Sequence, residues 1–538
     1  MDVNESEKFN LTNRKSSSHY MIFGKPPEMH SLFGNVSNNF KFPSFLWSKK
    51  SNLIYDIKNP MIKSEDDTIR FNSCFESGNL EKVYRINDTC FHCILECDKD
   101  LSGSCQWFYF MVKNLKKDKL YTFYISGFHK VKSLYSNGSR IFWYSKKQAL
   151  TSGISWMRGG DNYSYGITKK NKKDIRATLK FEIQFPYDDD EICLCDALPY
   201  TYSDLLKSIE GWNTNNFFKF ETLCKTLGGE DCPILTLTSS KSKIPYEKRK
   251  YIFITGRIHP GESNSSYLVK GFINYLLSNT PEANFILENT IIKCVPMINI
   301  DGVIEGFYRV SLSGDDLNRI WTSPDSTKHP VIYHTKELIH KISKEREIIM
   351  YLDFHGHSRL NGTFIYGCPN DNDNALRNSE KIYPRILSYL KDTFLWSYCV
   401  FSFPKERKSA GRIVIRNELN IVNSYTIETS FGGIISGELN GFLYDEVTWE
   451  NIGSKCALAF YHFLIGEKSD IFRYSKKEIS LHFTKSLKPQ KRSKRKLEID
   501  MKNTKSFVTF ECEPKDVSTS PLNLQQPKWK QASFFTHS

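Results

Sequence analysis

Residues 251–278 read YIFITGRIHPGESNSSYLVKGFINYLLS, and the three parts of this stretch predict a strand, a turn and a helix. The apolar run Tyr251–Thr255 has the length and composition of a buried strand. From Ser263 onward, apolar residues recur at helical spacing behind a Ser/Asn start that is suited to capping. The turn carries His259 and Glu262, which this arrangement places at the carboxyl edge of a sheet.

Three further apolar runs predict neighbouring strands, at Ile291–Ile298, Ile348–Phe354 and Ser424–Ile427. Strand-like and helical stretches alternate from about Pro199 to Gly466. The predicted fold class is therefore α/β, with a mixed but largely parallel sheet that is covered by helices on both faces.

His259 and Glu262 are three residues apart, a spacing at which both can bind one zinc ion. Taken alone this pattern is weak, because unrelated surface pairs share it. The run Ile348–Phe354 ends in His355, which adds a third candidate ligand at the same kind of position. We favour His355 over His357. Two histidines and one glutamate form the open catalytic zinc set, which leaves one coordination position free.

Glu428 lies within the apolar segment NSYTIETSFGG, which predicts another strand. A carboxylate in a buried strand is costly unless it is paired or functional. Glu428 could pair with a core arginine. Alternatively, it could be a general base that takes the proton of an attacking water and hands it to the leaving amine.

The segment GFYRVSLSGDDLNRIW at 306–321 offers groups for binding a substrate. Asn318 and Arg319 could grip a carboxylate through a charge-assisted, bidentate contact. Arg309 could face an oxyanion that develops on an attacked carbonyl. Single arginines are more often surface residues, so these arginines indicate a binding site only in combination with the other motifs.

Composition and charge limit the class of protein. The chain has 538 residues, of which 40% are hydrophobic and 14% aromatic, as is typical of a folded protein with more than one domain. We find neither an apolar run near the length of a membrane span nor a secretory signal, so we expect a cytoplasmic protein with reduced cysteines. The net charge is +14, and residues 466–538, with 16 Lys/Arg against 8 Asp/Glu, supply +8 of it. This excess favours an acidic partner.

Four regions are predicted along the chain. Residues 1–65 read as a flexible N-terminal arm. Short β-type runs with polar turns at 66–197 predict an antiparallel β-sandwich domain. Residues 198–466 form the predicted catalytic domain, and 467–538 a basic tail that we expect to be disordered.

Taken together, HPGE, DLNR, the histidine at a strand end and the glutamate within a strand resemble the M14 zinc carboxypeptidases. The longer segments HPGESNSS, SLSGDDLNR, DFHGHSR, IYGCP and NSYTIETSFGG are similar to the cytosolic carboxypeptidase branch, which includes tubulin deglutamylases. Upstream, FNSCFESGNLEKV, QWFYFMVKNL and LPYTYSDL match the N-terminal β-sandwich of that branch and its junction. The resemblance spans about Phe71 to Gly466.

The resemblance implies one zinc ion per chain, bound by His259, Glu262 and His355. It implies that Glu428 is the general base of a metallocarboxypeptidase. In secreted relatives a tyrosine closes over the substrate, and we find no clear counterpart for it before Glu428.

The resemblance also assigns the substrate-binding arginines. Arg309 would stabilise the oxyanion, while Asn318 and Arg319 would hold the terminal carboxylate of the substrate. The basic segment KERKSAGRIVIR at 405–416 lies where the family builds the pocket for the terminal side chain. Arg412, with or without help from other cations of this segment such as Arg416 or Lys408, would favour glutamate by charge pairing. The alternative is a solvated basic loop.

We therefore predict a zinc carboxypeptidase that removes C-terminal or side-chain glutamates from acidic protein tails, with glutamylated tubulin as partner and no specific nucleic acid. The alternatives are removal of a C-terminal tyrosine or other residue from tubulin, hydrolysis of small N-acyl amino acids by a zinc amidohydrolase, and a non-catalytic microtubule-binding module. Association with microtubules, cilia or basal bodies is expected, and the basic run at 488–496 allows nuclear entry.

Overall fold

The computed structural model describes residues 52–59, 69–100, 103–169, 175–370, 376–434 and 440–486. Most of the predicted N-terminal arm and most of the basic tail, including 488–496, lie outside these ranges. None of the described helices is long and apolar enough to cross a membrane.

The described part of the N-terminal half contains eleven strands. They are β1 Asn52–Asp56, β2 Arg70–Asn72, β3 Lys82–Asn87, β4 Cys90–Ile94, β5 Tyr109–Lys113, β6 Tyr121–Phe128, β7 Ile141–Ser145, β8 Met157–Gly159, β9 Asp161–Lys169, β10 Ile175–Ile183 and β11 Glu191–Cys195. They form a six-stranded sheet in the order β1-β3-β4-β6-β10-β9 and a five-stranded sheet in the order β2-β5-β11-β7-β8. The described pairings are antiparallel except for β4 with β6, which is parallel.

The two sheets pack face to face around an aromatic core. Phe91, Phe123 and Phe181 lie on neighbouring strands of the six-stranded sheet, and the Phe123 and Phe181 rings stack at 5.4 Å. Phe108 and Phe110 come from the other sheet and belong to the same buried cluster. Side chains that alternate along each strand supply this inner layer. The predicted β-sandwich is confirmed.

The five-stranded sheet is buried on its outer face as well. Trp107, Tyr109 and Met111 alternate with the inner-facing phenylalanines, so they point away from the sandwich core. They belong to the large core of the C-terminal half, which Phe142 joins at 6.1 Å from the Trp449 ring. One continuous apolar core therefore links the sandwich to the rest of the molecule.

A seven-stranded sheet forms the centre of the C-terminal half. Its strands are β12 Phe218–Lys225, β13 Asp231–Leu237, β14 Lys250–Gly256, β15 Thr290–Val295, β16 Ile348–His357, β17 Thr363–Tyr366 and β18 Ser424–Ser430. The order is β12-β13-β15-β14-β16-β18-β17. The four adjacent strands β15, β14, β16 and β18 are parallel, and the others pair antiparallel. The predicted mixed, largely parallel sheet is confirmed.

Ten α-helices surround the sheets in the described ranges. They are α1 Lys146–Ser152, α2 Tyr202–Trp212, α3 Ser263–Leu276, α4 Pro281–Asn289, α5 Ile300–Glu305, α6 Pro330–Glu345, α7 Ile382–Leu390, α8 Gly411–Leu419, α9 Glu446–Ile465 and α10 Asp470–Ser486. Phe354 of β16 packs against Phe272 of α3, whereas Tyr351 contacts Trp321 and approaches Gly411 at the start of α8. Residues 351 and 354 point to opposite faces of a strand, so helices cover both faces.

Two predicted region boundaries differ from the structure. Strand β1 lies within the region expected to be an arm, where Tyr55 is buried and its hydroxyl lies 2.9 Å from Ser73 Oγ. Helix α10 begins the region expected to be a disordered tail, and Arg385 of α7 pairs with Glu478 of α10. Because β1 is short and α10 is mostly polar, neither has a strong local apolar pattern. Contacts with distant parts of the chain stabilise both elements.

Candidate active site

The turn between β14 and α3 is held by Arg257. This residue has a φ of 55°, a left-handed conformation that residues other than glycine rarely adopt. Its buried guanidinium donates to Pro260 O at 2.7 Å, Tyr200 O at 2.9 Å and Ser266 Oγ at 2.9 Å. These bonds fix the two candidate metal ligands that follow at the carboxyl end of β14.

The structure brings His259, Glu262 and His355 together. All three are buried, and one ligand atom from each lies within 4.8 Å of the other two. Glu262 Oε1 lies 2.8 Å from His259 Nδ1, and Glu262 Oε2 lies 3.0 Å from His355 Nδ1. This closeness follows from the pairing of β14 with β16, which places two strand ends side by side.

The donor set fits a zinc ion. Two imidazoles and one carboxylate are the ligands of open catalytic zinc sites, with bonds of about 2.0–2.2 Å. Burial alone would raise the pKa of Glu262, but His259 and His355 outweigh burial and hold that pKa well below its usual value. The carboxylate is thus ionised, as a metal ligand must be.

Two aspartates that the sequence reasoning missed orient the histidines. Asp316 Oδ1 lies 3.1 Å from His259 Nε2, and Asp353 Oδ2 lies 2.7 Å from His355 Nε2. Carboxylates on the outer nitrogen fix the ring and leave Nδ1 for a metal. Asp353 had a signal in the sequence, since it interrupts the apolar run of β16 two residues before His355.

His355 and His357 differ in what their ring nitrogens contact. Both lie on β16, and residues two apart in a strand point to the same face, so strand geometry alone does not choose between them. His357 Nδ1 accepts the backbone N–H of Leu360 at 2.9 Å, whereas His355 Nδ1 faces Glu262. Burial, with Lys130 and Arg359 nearby, lowers the pKa of His357 to about 4.

Glu428 lies directly beside the candidate metal ligands. In the pairing of β16 with β18 it is the register partner of His355. Burial raises the pKa of Glu428 to about 7, although His355 opposes this effect. Within the described ranges, the Glu428 carboxylate has no ion-pair partner. The buried Arg412 acts on Glu428 at longer range but forms no direct ion pair with it, as the alternative of a glutamate paired with a core arginine would require.

Arg309 lies close to the metal ligands but is paired. Its Nη2 donates to Asp316 Oδ2 at 2.6 Å, the same carboxyl that contacts His259. Although burial opposes it, Asp316 raises the pKa of Arg309 above its usual value. The guanidinium is thus charged and held within reach of the site.

Asn318 and Arg319 lie in a 3-10 turn, Leu317–Arg319, at the same edge. Asn318 Nδ2 lies 3.5 Å from His355 Nε2, and its Oδ1 accepts from Gly411 N at 2.9 Å. Arg319 Nη1 donates to Asn318 O at 2.7 Å. Burial and the neighbouring arginines lower the pKa of Arg319 to about 10.

Of the cations proposed for the side-chain pocket, only Arg412 points to the site. It is the second residue of α8 and is 8% exposed. Its Nη1 donates to Thr426 Oγ1 at 3.4 Å, two residues before Glu428 on β18. Its Nε has no hydrogen-bond partner. Arg416 instead binds Asn370 Oδ1 through Nε at 3.0 Å. Lys408 is exposed, so neither reinforces Arg412.

Comparison with known proteins shows which family the chain resembles. A family model described as Zinc carboxypeptidase matches residues 209–492. Cytosolic carboxypeptidase 2 of Macaca fascicularis is 37% identical over 459 residues, which cover 79% of this chain and 54% of that protein. Cytosolic carboxypeptidase 1 of Homo sapiens is 36% identical over 438 residues, which cover 75% of this chain and 36% of that protein. The chain thus spans about half, or less, of the length of these curated relatives.

Solved structures show the same fold. A metallo-carboxypeptidase from Pseudomonas aeruginosa aligns with a TM-score of 0.60 at 18% identity, covering 73% of this chain and 99% of that chain. A metallo-carboxypeptidase from Burkholderia cenocepacia aligns with a TM-score of 0.59 at 17% identity, covering 73% and 98%. At this level of identity the likeness concerns the fold alone.

The chain belongs to the zinc carboxypeptidase family, whose members are zinc-dependent metallopeptidases. Within that family, the curated relatives that match it over most of its length are named cytosolic carboxypeptidases. This agrees with the resemblance read from HPGE, DLNR and the strand-embedded glutamate.

Proposed function

We propose that this chain is a zinc carboxypeptidase that releases glutamate from the ends of acidic protein tails or glutamate side chains. One observation carries the preference for glutamate. The Arg412 guanidinium is buried beside Glu428 and, among the described residues, has no carboxylate within ion-pair distance. Glu428 acts on Arg412 at longer range. A buried cation without a direct ion pair is costly, and the side chain of a terminal glutamate would supply one.

The site residues have separable roles in this reaction. His259, Glu262 and His355 would hold zinc, which supplies a Lewis acid and lowers the pKa of water. Glu428, with a pKa raised to about 7 by burial, can accept a proton from the attacking water and return it to the leaving amine. Arg309 would turn from Asp316 toward the charge that develops on the attacked carbonyl oxygen.

Binding of the terminal residue would use a second group of cations. Arg319 lies at the same edge as Arg412. Burial, with Arg407, Arg309 and Arg412 nearby, lowers the pKa of Arg319. Burial, with Arg407 nearby, lowers the pKa of Arg412. Such mutual repulsion is relieved when an anion binds. A terminal glutamate carries two carboxylates, one for Arg319 with Asn318 and one for Arg412. This pairing supports glutamate over an uncharged terminal residue.

Glutamylated tubulin tails are the partner we propose. They present runs of acidic residues, and the chain has a net charge of +14, which attracts such tails in a salt-dependent way. The names of the curated relatives support a location in the cytosol. Association with microtubules, cilia or basal bodies follows from this choice of partner.

The test is a set of short peptides that differ only in the last residue, Glu, Gln or Tyr, with N-acetylglutamate as a further substrate. We expect release of glutamate, one zinc per chain, and a fall of about ten- to a hundredfold in kcat/KM for the Glu peptide in Arg412→Met. The Glu-to-Gln preference should fall with it. The matched control is Lys408→Met, in the same segment but exposed.

Other outcomes would overturn the proposal in distinct ways. Faster release of tyrosine would identify a detyrosinating enzyme, and hydrolysis of N-acetylglutamate alone would identify an amidohydrolase. Absence of zinc and of any hydrolysis would favour a non-catalytic binding module. An unchanged preference for Glu over Gln in Arg412→Met would show that Arg412 does not bind the terminal side chain.

A further inference from the structure

Lys130 belongs to the sandwich but reaches the active site. It follows β6, and its backbone is held by the Tyr165 hydroxyl, which donates to Lys130 O. The side chain crosses to the catalytic half, where Nζ donates to Ser358 Oγ at 2.6 Å and to the Tyr308 hydroxyl. Nζ also lies 4.6 Å from the centroid of the Tyr308 ring. Lys130 is thus placed by contacts on both sides of the domain boundary.

Lys130 has no ion pair within the described ranges, although the Asp196 carboxylate acts on it at longer range. Its side-chain partners are two hydroxyls and an aromatic ring, and no carboxylate lies within ion-pair distance. Other lysines of the same domain are paired, since Lys113 contacts Glu191 at 2.6 Å and Lys116 contacts Asp189 at 2.9 Å. A half-buried ammonium whose direct contacts are all neutral is well suited to receive an anion.

Lys130 lies next to the metal-binding turn. Tyr308, which it contacts, packs against Gly261, where an added Cβ would come within 2.7 Å of the Tyr308 ring. Gly261 N also donates to Tyr308 O at 2.9 Å, and Gly261 precedes the metal ligand Glu262. Only one aromatic ring therefore separates the ammonium from the turn that carries the ligands.

Lys130 and Arg412 lie on opposite sides of the catalytic glutamate. Along β18, Arg412 contacts Thr426, and Glu428 follows two residues later. Two residues beyond Glu428, Ser430 is the register partner of His357 on β16. Lys130 and Arg359 lie close enough to His357 to lower the pKa of its ring. At about 3.3 Å per residue, each step of two residues along the strand is about 7 Å.

We propose that Lys130, together with the exposed Arg359, binds the acidic side chain of the residue that precedes the terminal glutamate. The inference rests on the proposed function, because the terminal residue held by Arg412 and Arg319 sets the direction of the substrate. The scissile bond lies at the metal ligands, so the preceding residue falls on the side of Lys130. The sandwich would thereby select chains in which one acidic residue follows another.

The test measures kcat/KM for three peptides, Ac-Gly-Gly-Glu-Glu, Ac-Gly-Gly-Ala-Glu and Ac-Gly-Gly-Lys-Glu. We expect the parent to prefer the first over the second by about tenfold, and Lys130→Met to abolish most of that preference. Lys130→Arg should keep it. Arg359→Met should lower it less, since water screens an exposed cation. Lys132→Met, two residues along the same exposed loop, is the control for general electrostatic attraction and should leave most of the Glu-Glu over Ala-Glu preference in place.

Charge reversal gives a test that loss of folding cannot imitate. Lys130→Glu should cleave the Lys-Glu peptide several-fold faster than the parent does, and it should cleave the Glu-Glu peptide much more slowly. Equal rates for the Glu-Glu and Ala-Glu peptides in the parent, or an unchanged preference in Lys130→Met, would overturn the inference and leave terminal glutamate release intact. Failure to release glutamate from any of the three peptides would overturn the proposed function, and this inference with it.

Discussion

The seven-stranded sheet and the β-sandwich contribute to the same site by different means. The sheet places side chains by register, since β14, β16 and β18 end side by side with His259, Glu262, His355 and Glu428. The sandwich supplies none of these groups. It contacts the loop that carries Arg309 through hydrogen bonds, and it contacts Ser358 through Lys130. Adjacent strands fix the chemistry, and contacts between domains fix the loop that surrounds it.

The sandwich contacts on that loop are specific. Asp98 is buried and accepts backbone N–H groups from Tyr308 at 2.8 Å, Arg309 at 2.7 Å and Val310 at 3.1 Å. Asn79 Nδ2 donates to Gly306 O at 2.9 Å. A single sandwich carboxylate thus holds the backbone on both sides of Arg309.

The largest expected effect is at the sheet. Glu428→Gln should lower kcat by about a hundred- to ten-thousandfold, because the amide cannot accept the proton of water. Zinc content, measured on the purified variant, should not change. The activity of the parent should rise with pH as Glu428 ionises. The midpoint of this rise should lie at or below pH 7, because burial raises the pKa of Glu428 to about 7 and a bound cation would lower it. A variant as active as the parent would exclude Glu428 as the base.

Asp353→Asn has the next largest expected effect, which is on zinc binding through the candidate ligand His355. Loss of the carboxylate that orients His355 should weaken zinc binding by about ten- to a hundredfold. The measurement is titration with a chelator of known affinity, followed by metal analysis. Added zinc should restore activity in this variant but not in Glu428→Gln. Unchanged zinc affinity would show that Asp353 serves the fold alone, through Thr255, whose Oγ1 donates to it at 2.8 Å.

Asp98→Asn tests the sandwich. The amide keeps the size of the side chain but directs a donor at backbone N–H groups, so the Arg309 loop should shift. Because misplaced groups lose transition-state contacts, we expect kcat to fall about tenfold with little change in KM or zinc content. Asp100→Asn is the control, since Asp100 accepts from Ser104 of its own loop at 2.7 Å. Equal effects on KM and kcat, or none, would show that the sandwich does not position Arg309.

The smallest expected effect is on the sandwich surface. Lys113→Met removes the half-exposed pair with Glu191 and should change the free energy of unfolding by less than about 1 kcal/mol, with kcat unchanged. Denaturant unfolding and peptide hydrolysis measure the two quantities. A large loss of activity in this variant would mean that any change in the sandwich reaches the site, and the comparison with Asp98 would lose its meaning.

The sequence predicted what adjacent strands determine and missed what distant segments determine. β14, its turn and α3 follow from local pattern, so the candidate metal ligands could be named from the sequence, as could Glu428. Their roles stay predictions. Asp316 was overlooked as the partner of His259 because it stands 57 residues away in the chain. Asp98 and Lys130 act on segments more than 170 residues distant, and no local pattern marks such a contact. For the same reason, the sequence did not predict strand β1 or helix α10, which lie beyond the predicted boundaries at 66 and 467.

The aromatic outer face of the five-stranded sheet has a consequence for how this protein can be divided. Trp107, Tyr109 and Phe142 belong to the core of the C-terminal half. A fragment that begins near residue 198 would expose the apolar surface that these side chains cover, and such surfaces promote aggregation. The two halves should therefore melt in one calorimetric transition, and expression or proteolysis at their junction should yield neither half in soluble form.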